Sequence, residues 1–262
     1  MISALFMIIW ALSVIVPTLL FGLPLYYIPL WVILGYFVGL LLTVLFVMAH
    51  LPFMKLISTT HPYKAYINTS AATFLNRFVL RLKINVEGKE NIPKDGVLTV
   101  YANHKSNADP FILLQVIKRP LTFTPKMSVY RMFWMGSWLK TMGAFPIDRQ
   151  SDRNTARAMI DAIKEVKNGN AMMIFPEGGI KDRDKEDLVA LRAGAFKVPV
   201  KAGADILPIR MIGTTEIKHR APWRVTKIKV VISKVIPFES FKGIPTSQVA
   251  DLVLNVINQK VI

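Results

Sequence analysis

The chain has 262 residues, of which 52% are hydrophobic, and a formal net charge of +16, so it is long enough for a sizeable core and strongly basic. The absence of cysteine excludes disulfides, thiolate metal sites and cysteine nucleophiles together, and fits a reducing compartment. The charge calls for an anionic partner, such as phospholipid headgroups, a phosphorylated substrate or an acidic carrier protein; no zinc-ligand spacing or RNA-binding signature accompanies it, so nucleic acid is set aside.

No Asp, Glu, Lys or Arg precedes Lys55, so all of the charge belongs to residues 55–262. Residues 2–21 and 28–51 are each long enough, at about 1.5 Å per residue, to cross roughly 30 Å of hydrocarbon. Between them Gly22 and Pro24 break helix, and Tyr26 and Tyr27 suit the headgroup level. Residues 1–54 are therefore expected to form a membrane-anchoring helical hairpin. The start lacks a basic n-region and its apolar stretch is too long for a cleavable signal. Pro17, Pro24 and Pro29 also permit a hairpin that dips into one leaflet and returns. Lys55, Lys64, Arg77, Arg81 and Lys83 follow, and the positive-inside rule places everything downstream on the cytoplasmic side under either reading.

Residues 55–83 are expected to be a partly amphipathic helical connector, since Ala71, Phe74, Leu75, Phe78 and Leu82 recur at roughly helical spacing. Such a pattern suits a core helix or a helix lying on the bilayer surface. Residues 84–262 then alternate short apolar runs with helical segments. Expected strands are 84–87, 97–101, 121–125, 171–175, 206–211 and 228–235. Expected helices are 110–118, 131–141, 154–168, a segment near 190–201, and 247–259 with Thr246 as its cap. This alternation predicts an α/β domain with a mainly parallel sheet flanked by helices. The chain shows no internal repeat and no low-complexity segment.

The stretch Asn103-His104-Lys105-Ser106-Asn107-Ala108-Asp109-Pro110 directly follows the apolar strand at 97–101, where open α/β sheets keep their chemistry. His104 is the first candidate catalyst, because an imidazole serves as a general base near neutral pH when a carboxylate holds its tautomer. Asp109 can curl back to do so from the first turn of the next helix. Asn103, Ser106 and Asn107 would supply local hydrogen bonds for the turn, and Pro110 suits a helix start. A His and an Asp at this spacing are mostly accidental when taken alone. Ser106 as a nucleophile lacks a separate base, and a His/Asp metal site lacks further ligands, so no metal is expected.

Three further stretches follow in order: Gly143-Ala144-Phe145-Pro146-Ile147-Asp148-Arg149, Phe175-Pro176-Glu177-Gly178, and Ile206-Leu207-Pro208-Ile209. With His104-xxxx-Asp109 this set resembles the glycerolipid acyltransferase superfamily, and most closely the 1-acylglycerol-3-phosphate acyltransferases, which make phosphatidic acid. Val86-Glu87-Gly88, Asn91-Ile92-Pro93 and Gly194-Ala195-Phe196 are also similar to that family, so the resemblance spans roughly residues 84–210.

The resemblance implies a membrane-bound enzyme that moves an acyl group from a thioester to the free sn-2 hydroxyl of lysophosphatidate. The donor would be an acyl-coenzyme A or an acyl carrier protein, with no metal or organic cofactor. His104 would take the hydroxyl proton as that oxygen attacks the thioester, and Asp109 would steady the imidazolium; no acyl-enzyme intermediate is needed. Arg149 can grip a phosphate through two parallel hydrogen bonds, although by itself it also reads as a surface arginine paired with Asp148 or Asp152. Lys126 ends the strand at 121–125 where related enzymes carry a lysine. Glu177, followed by Gly178, emerges at the same sheet edge as His104, where it could bind the glycerol hydroxyl or orient Lys126 or Arg149. The sequence departs from the common family pattern Phe-Pro-Glu-Gly-Thr-Arg, with Gly179 and Ile180 at the last two positions. Lys181, Arg183 or Arg192 is left to replace the missing arginine, and Arg192 sits two residues before Gly194 where relatives often have a basic residue. Pro208 is expected to be structural, shaping the acyl-chain side of the cleft.

Met127, Tyr130, Met132, Phe133, Trp134, Met135 and Trp138 read as core, or as an apolar face for interfacial docking. The alternatives are a superfamily member acting on glycerol-3-phosphate or another lysophospholipid and, in a different class, a non-catalytic membrane protein that binds anionic lipid.

Overall fold

The computed structural model of the protein describes residues 1–22, 24–146, 152–180, 185–188 and 191–258. The chain divides into two compact units, Met1–Ile57 and Ser58–Ile262.

In the first unit, α1 (Ile2–Phe21) and α2 (Ile28–Ala49) pack side by side and α3 (Leu51–Leu56) follows. Both long helices are long and apolar enough to cross a membrane. The buried residues of α2 are Gly35, Gly39 and Thr43, spaced four apart on one face. Phe6 lies against Gly39, and Trp10 and Ser13 lie against Gly35, so the helices run antiparallel. A Cβ on Gly35 would collide with Ser13 Oγ, and one on Gly39 would press on the Phe6 ring at 3.2 Å. In lipid, where no hydrophobic force drives apolar helices together, such small residues permit the close approach that dispersion needs. Trp10 Nε1 adds a hydrogen bond to the Val32 carbonyl at 2.9 Å.

The second unit is built on a six-stranded sheet of β1 (Leu82–Glu87), β2 (Leu98–Ala102), β3 (Leu121–Phe123), β4 (Ala171–Ile174), β5 (Asp205–Ile212) and β6 (Thr226–Ile232). Their order is β1-β6-β5-β2-β4-β3. Every neighbouring pair is parallel except β5 and β6, so β5, β2, β4 and β3 deliver their carboxyl ends to one edge. All residues of β2 and β4 are buried, as expected of central parallel strands covered on both faces. β6 instead alternates buried with more exposed positions, and β1 alternates half-buried with exposed ones after the buried Leu82.

The helices of this unit are α4 (Pro62–Phe74), α5 (Asp109–Ile117), α6 (Met127–Tyr130), α7 (Phe133–Thr141), α8 (Asp152–Lys167), α9 (Lys197–Ala202), α10 (Ile217–Arg220) and α11 (Thr246–Asn258). Val100, Met173 and Leu207 form one core layer with Ile112, Leu113 and Ile117 of α5. Tyr101, Met172 and Ile206 form the other with Val166 of α8 and Val249 and Val253 of α11. The expected mainly parallel α/β sheet is the one found.

Three local expectations change. The connector helix ends in a π-helical turn at Leu75–Val79, and Leu82 already belongs to β1. It is stitched into the second unit: Thr69 Oγ1 donates to Leu114 O at 3.0 Å, and Asn76 Nδ2 donates to Phe111 O at 3.0 Å. The helix expected at 131–141 is α7, which starts two residues later because Met132 is extended, and the short α6 precedes it. Gly136 packs so tightly against the Tyr130 carbonyl that a side chain there would collide. The segment near 190–201 is a 3-10 turn at Ala193–Phe196 followed by the short α9.

Candidate active site

β2 ends at Ala102, and the next residues turn across the sheet edge into α5, whose first residue is Asp109. The turn is closed by the carboxylate itself. Asp109 Oδ2 accepts from the backbone N–H of Lys105 at 2.7 Å and of Ser106 at 2.8 Å, and pairs with His104 Nδ1 at 2.9 Å. Hydrogen bonds to an ionised group are worth about 1.5–3 kcal/mol each, and a helix N-terminus favours negative charge. A five-residue spacing thus becomes a preorganised pair. Asp109 is fully buried, whereas the His104 side chain is 17% exposed.

Because a carboxylate only accepts, Nδ1 must carry the imidazole proton, which leaves the Nε2 lone pair to act as base. The ring is clamped face-on by Phe175, with centroids 4.1 Å apart and planes 18° off parallel. Ser106 Oγ accepts from the Ala108 N–H at 3.2 Å, so its hydroxyl belongs to the turn.

β4 is the neighbour of β2 and delivers Phe175-Pro176-Glu177 to the same edge. Glu177 is 2% exposed and turns inward: Oε1 accepts from the His104 N–H at 3.1 Å, and Oε2 pairs with Lys105 Nζ at 3.0 Å. Both of its oxygens are engaged with the His104 loop, a pairing that the expected partners, a glycerol hydroxyl, Lys126 or Arg149, did not include. The side chain of Lys105 is itself fully buried. Spacing gave no hint of this pair, since its members lie 72 residues apart. The only local sign was a lysine inside a turn otherwise made of small polar and apolar residues.

Asn103 also differs from its expected local role. Its Nδ2 donates to Met211 O at 2.7 Å and Glu186 O at 3.0 Å, and its Oδ1 accepts from Met211 N–H at 2.8 Å, tying the base of the loop to β5.

Gly178 adopts φ +70°, and a Cβ there would lie 2.6 Å from Arg192 Nε. Arg192 is exposed and is held against the β4 exit by its N–H bond to Pro176 O at 3.0 Å. Gly178 and Arg192 are thereby brought together beside Glu177. Lys126 is exposed just past the carboxyl end of β3, two strands from β2, or about 10 Å at the usual strand spacing. Arg149, Lys181 and Arg183 lie outside the described residues. Gly143, in the stretch leading to Arg149, has φ +69°, and a Cβ there would also sit 2.7 Å from Glu165 Oε2. Among the described residues, no group of three or more His, Asp or Glu is placed to hold a metal ion.

The acyltransferase family model matches residues 83–212. The 1-acyl-sn-glycerol-3-phosphate acyltransferase of Borreliella burgdorferi is 31% identical over 150 residues, covering 57% of this chain and 59% of that protein. A probable 1-acyl-sn-glycerol-3-phosphate acyltransferase of Mycoplasma pneumoniae is 30% identical over 197 residues, 70% of this chain and 72% of the relative. The first of these matches thus spans less than two thirds of the relative's length. The crystal structure of the 1-acyl-sn-glycerophosphate (LPA) acyltransferase from Thermotoga maritima superposes with a TM-score of 0.61 at 20% identity, covering 82% of this chain and 93% of that one, which shows a shared fold. On these matches the chain belongs to the acyltransferase family.

Proposed function

We propose that the protein transfers a fatty acyl group from an acyl thioester to the free hydroxyl of a 1-acylglycerol-3-phosphate, giving phosphatidic acid. The observation that carries this reading is the 2.9 Å contact of His104 Nδ1 with the buried Asp109 carboxylate, which leaves Nε2 to work as the base. In the proposed step Nε2 takes the hydroxyl proton while that oxygen attacks the thioester carbonyl. The C–S bond then breaks, and the imidazolium returns the proton to the departing thiolate. Asp109 compensates the imidazolium charge. Such general-base help is worth about 10²- to 10⁴-fold. The thioester already carries the activated acyl group, so the reaction calls for no metal or organic cofactor.

Lys126 and Arg192 are proposed to bind the acceptor phosphate, joined by Arg149. Their exposure at the edge that holds His104 supports this for Lys126 and Arg192. Glu177 is proposed to act indirectly, by holding the His104 loop. The donor is an acyl-coenzyme A or an acyl carrier protein, both acidic enough to suit the basic second unit. The names of the matched relatives support the acceptor. We further propose that α1 and α2 anchor the chain in a membrane with the second unit on the cytoplasmic face. The basic residues after α2 support this, because positive charge is retained on that side.

The test is ester formation by the full chain in detergent micelles, with both donors and with 1-acylglycerol-3-phosphate, monoacylglycerol, glycerol-3-phosphate and a lysophospholipid of larger headgroup as acceptors. 1-Acylglycerol-3-phosphate should be preferred, and His104→Ala should abolish most turnover. Equal rates on monoacylglycerol would remove the phosphate contacts, and an active His104→Ala enzyme would remove the base.

A further inference from the structure

The segment from α5 to Pro146 carries a surface that acyl transfer does not explain. Residues 110–146 contain Lys118, Arg119, Lys126, Arg131 and Lys140 and no Asp or Glu. At the join of α6 and α7, Met132, Phe133 and Trp134 are 57%, 76% and 58% exposed. Three consecutive large apolar side chains in water are not required by the fold, since other residues of α7 already supply its packing. Gly136 and Leu139 are buried, and Trp138 Nε1 donates to Asn68 Oδ1 at 2.9 Å. The tip is held in place: Gly136 N–H bonds to Met132 O at 2.7 Å, and the Phe133 and Trp134 rings meet edge to face at 4.9 Å. Lys126, Arg131 and Lys140 are exposed around it. The segment leaves the carboxyl end of β3, so it projects from the sheet edge that carries His104.

We propose that this tip is a membrane-docking surface of the second unit in its own right. Met132, Phe133 and Trp134 insert into the acyl boundary of a bilayer, and Arg131 and Lys140 contact anionic headgroups. An exposed apolar tip in a segment with exposed cations and no Asp or Glu complements an anionic lipid surface rather than the mixed-charge surface of a protein. Docking here would bring the catalytic edge to the plane from which an amphiphilic acceptor is drawn.

The chain's lack of cysteine makes the test direct. A nitroxide is placed on Phe133→Cys in the full chain, and on Lys167→Cys at the opposite end of the sheet as the aqueous reference. Collision with oxygen and with a water-soluble nickel chelate is then measured in vesicles of phosphatidylcholine with and without phosphatidylglycerol. The expected result is a label at position 133 shielded from nickel and open to oxygen, at a depth of about 5–10 Å in the anionic vesicles. It should be shallower without phosphatidylglycerol, and shallower again when Arg131→Glu is added. Nickel accessibility equal to that of the reference overturns the proposal. So does exclusion of both reagents, which would mean that protein covers the tip. The reading needs no turnover, so it stands or falls separately from the assigned activity.

Discussion

Replacing Lys105 by Met removes the ammonium from a site where both partners are at most 2% exposed and 3.0 Å apart. Glu177 then keeps one partner, the His104 N–H, and its second oxygen is left charged, buried and unpaired. Breaking a buried ion pair from one side costs about 3–5 kcal/mol, well above the roughly 0.5–1.5 kcal/mol of an ordinary hydrogen bond. For a unit of this size each kcal/mol moves Tm by about 2–4 °C, so Lys105→Met should lower it by about 6–20 °C. Glu177→Gln in the same background removes the uncompensated charge and keeps an acceptor for His104 N–H, so the double variant should regain at least half of the loss. Thermal unfolding of the full chain in micelles, followed by near-ultraviolet circular dichroism, reads both. A fall of under about 3 °C for Lys105→Met, or a double variant no more stable than the single, would refute the claim that charge compensation holds this loop.

Asp109→Asn keeps an oxygen for the Lys105 and Ser106 N–H groups but loses the charge opposite the imidazolium, so turnover should fall by about 10²- to 10⁴-fold with only about 1–2 kcal/mol of stability lost. Initial rates beside a denaturation curve check this, and a rate loss below tenfold would argue against the pairing. Gly178→Ala meets both an unfavourable φ of +70° and Arg192 Nε, so it should cost about 1–2 kcal/mol and displace that guanidinium. Its kinetic signature should be a higher KM for the phosphorylated acceptor than for the donor; a change confined to donor KM would place Arg192 elsewhere. Burial pushes the Tyr101 phenol well above its ordinary range, and its hydroxyl donates to Ala195 O at 2.8 Å. Above about pH 10 the unfolded chain loses this proton while the folded chain keeps it, so stability falls as pH rises through that range. Tyr101→Phe should be less stable by about 1 kcal/mol at pH 7, and the gap should narrow in alkali; a gap that widens would contradict the sign.

The chemistry was most legible where it is local. His104 and Asp109 were readable because five residues are one turn, and a carboxylate at the start of α5 can reach back over it whatever the rest of the chain does. The six strands were readable because short β-branched and apolar runs between helical segments have few other ways to bury their faces, and their ends shifted by only a few residues. The hairpin followed from length and hydropathy alone. The partner choices were not legible. For Glu177 the sequence leaves a glycerol hydroxyl, Lys126 or Arg149 open as partners and gives no sign of Lys105, and Asn103, expected to serve its own turn, joins β5 instead.

By itself, then, the order of residues determined the two apolar helices, the alternating α/β pattern and the His-Asp pair, since each depends on spacing within one or two turns of chain. Tertiary structure alone decided that β1 and β6 run against the other four strands, that β2 and β4 lie side by side, and hence that Lys105 meets Glu177. It also decided that Phe133 and Trp134 face outward while Trp138 on the same helix faces in. The physical reason is that strand order and helix facing are set by the joint burial of surfaces far apart in the chain, which no local periodicity encodes.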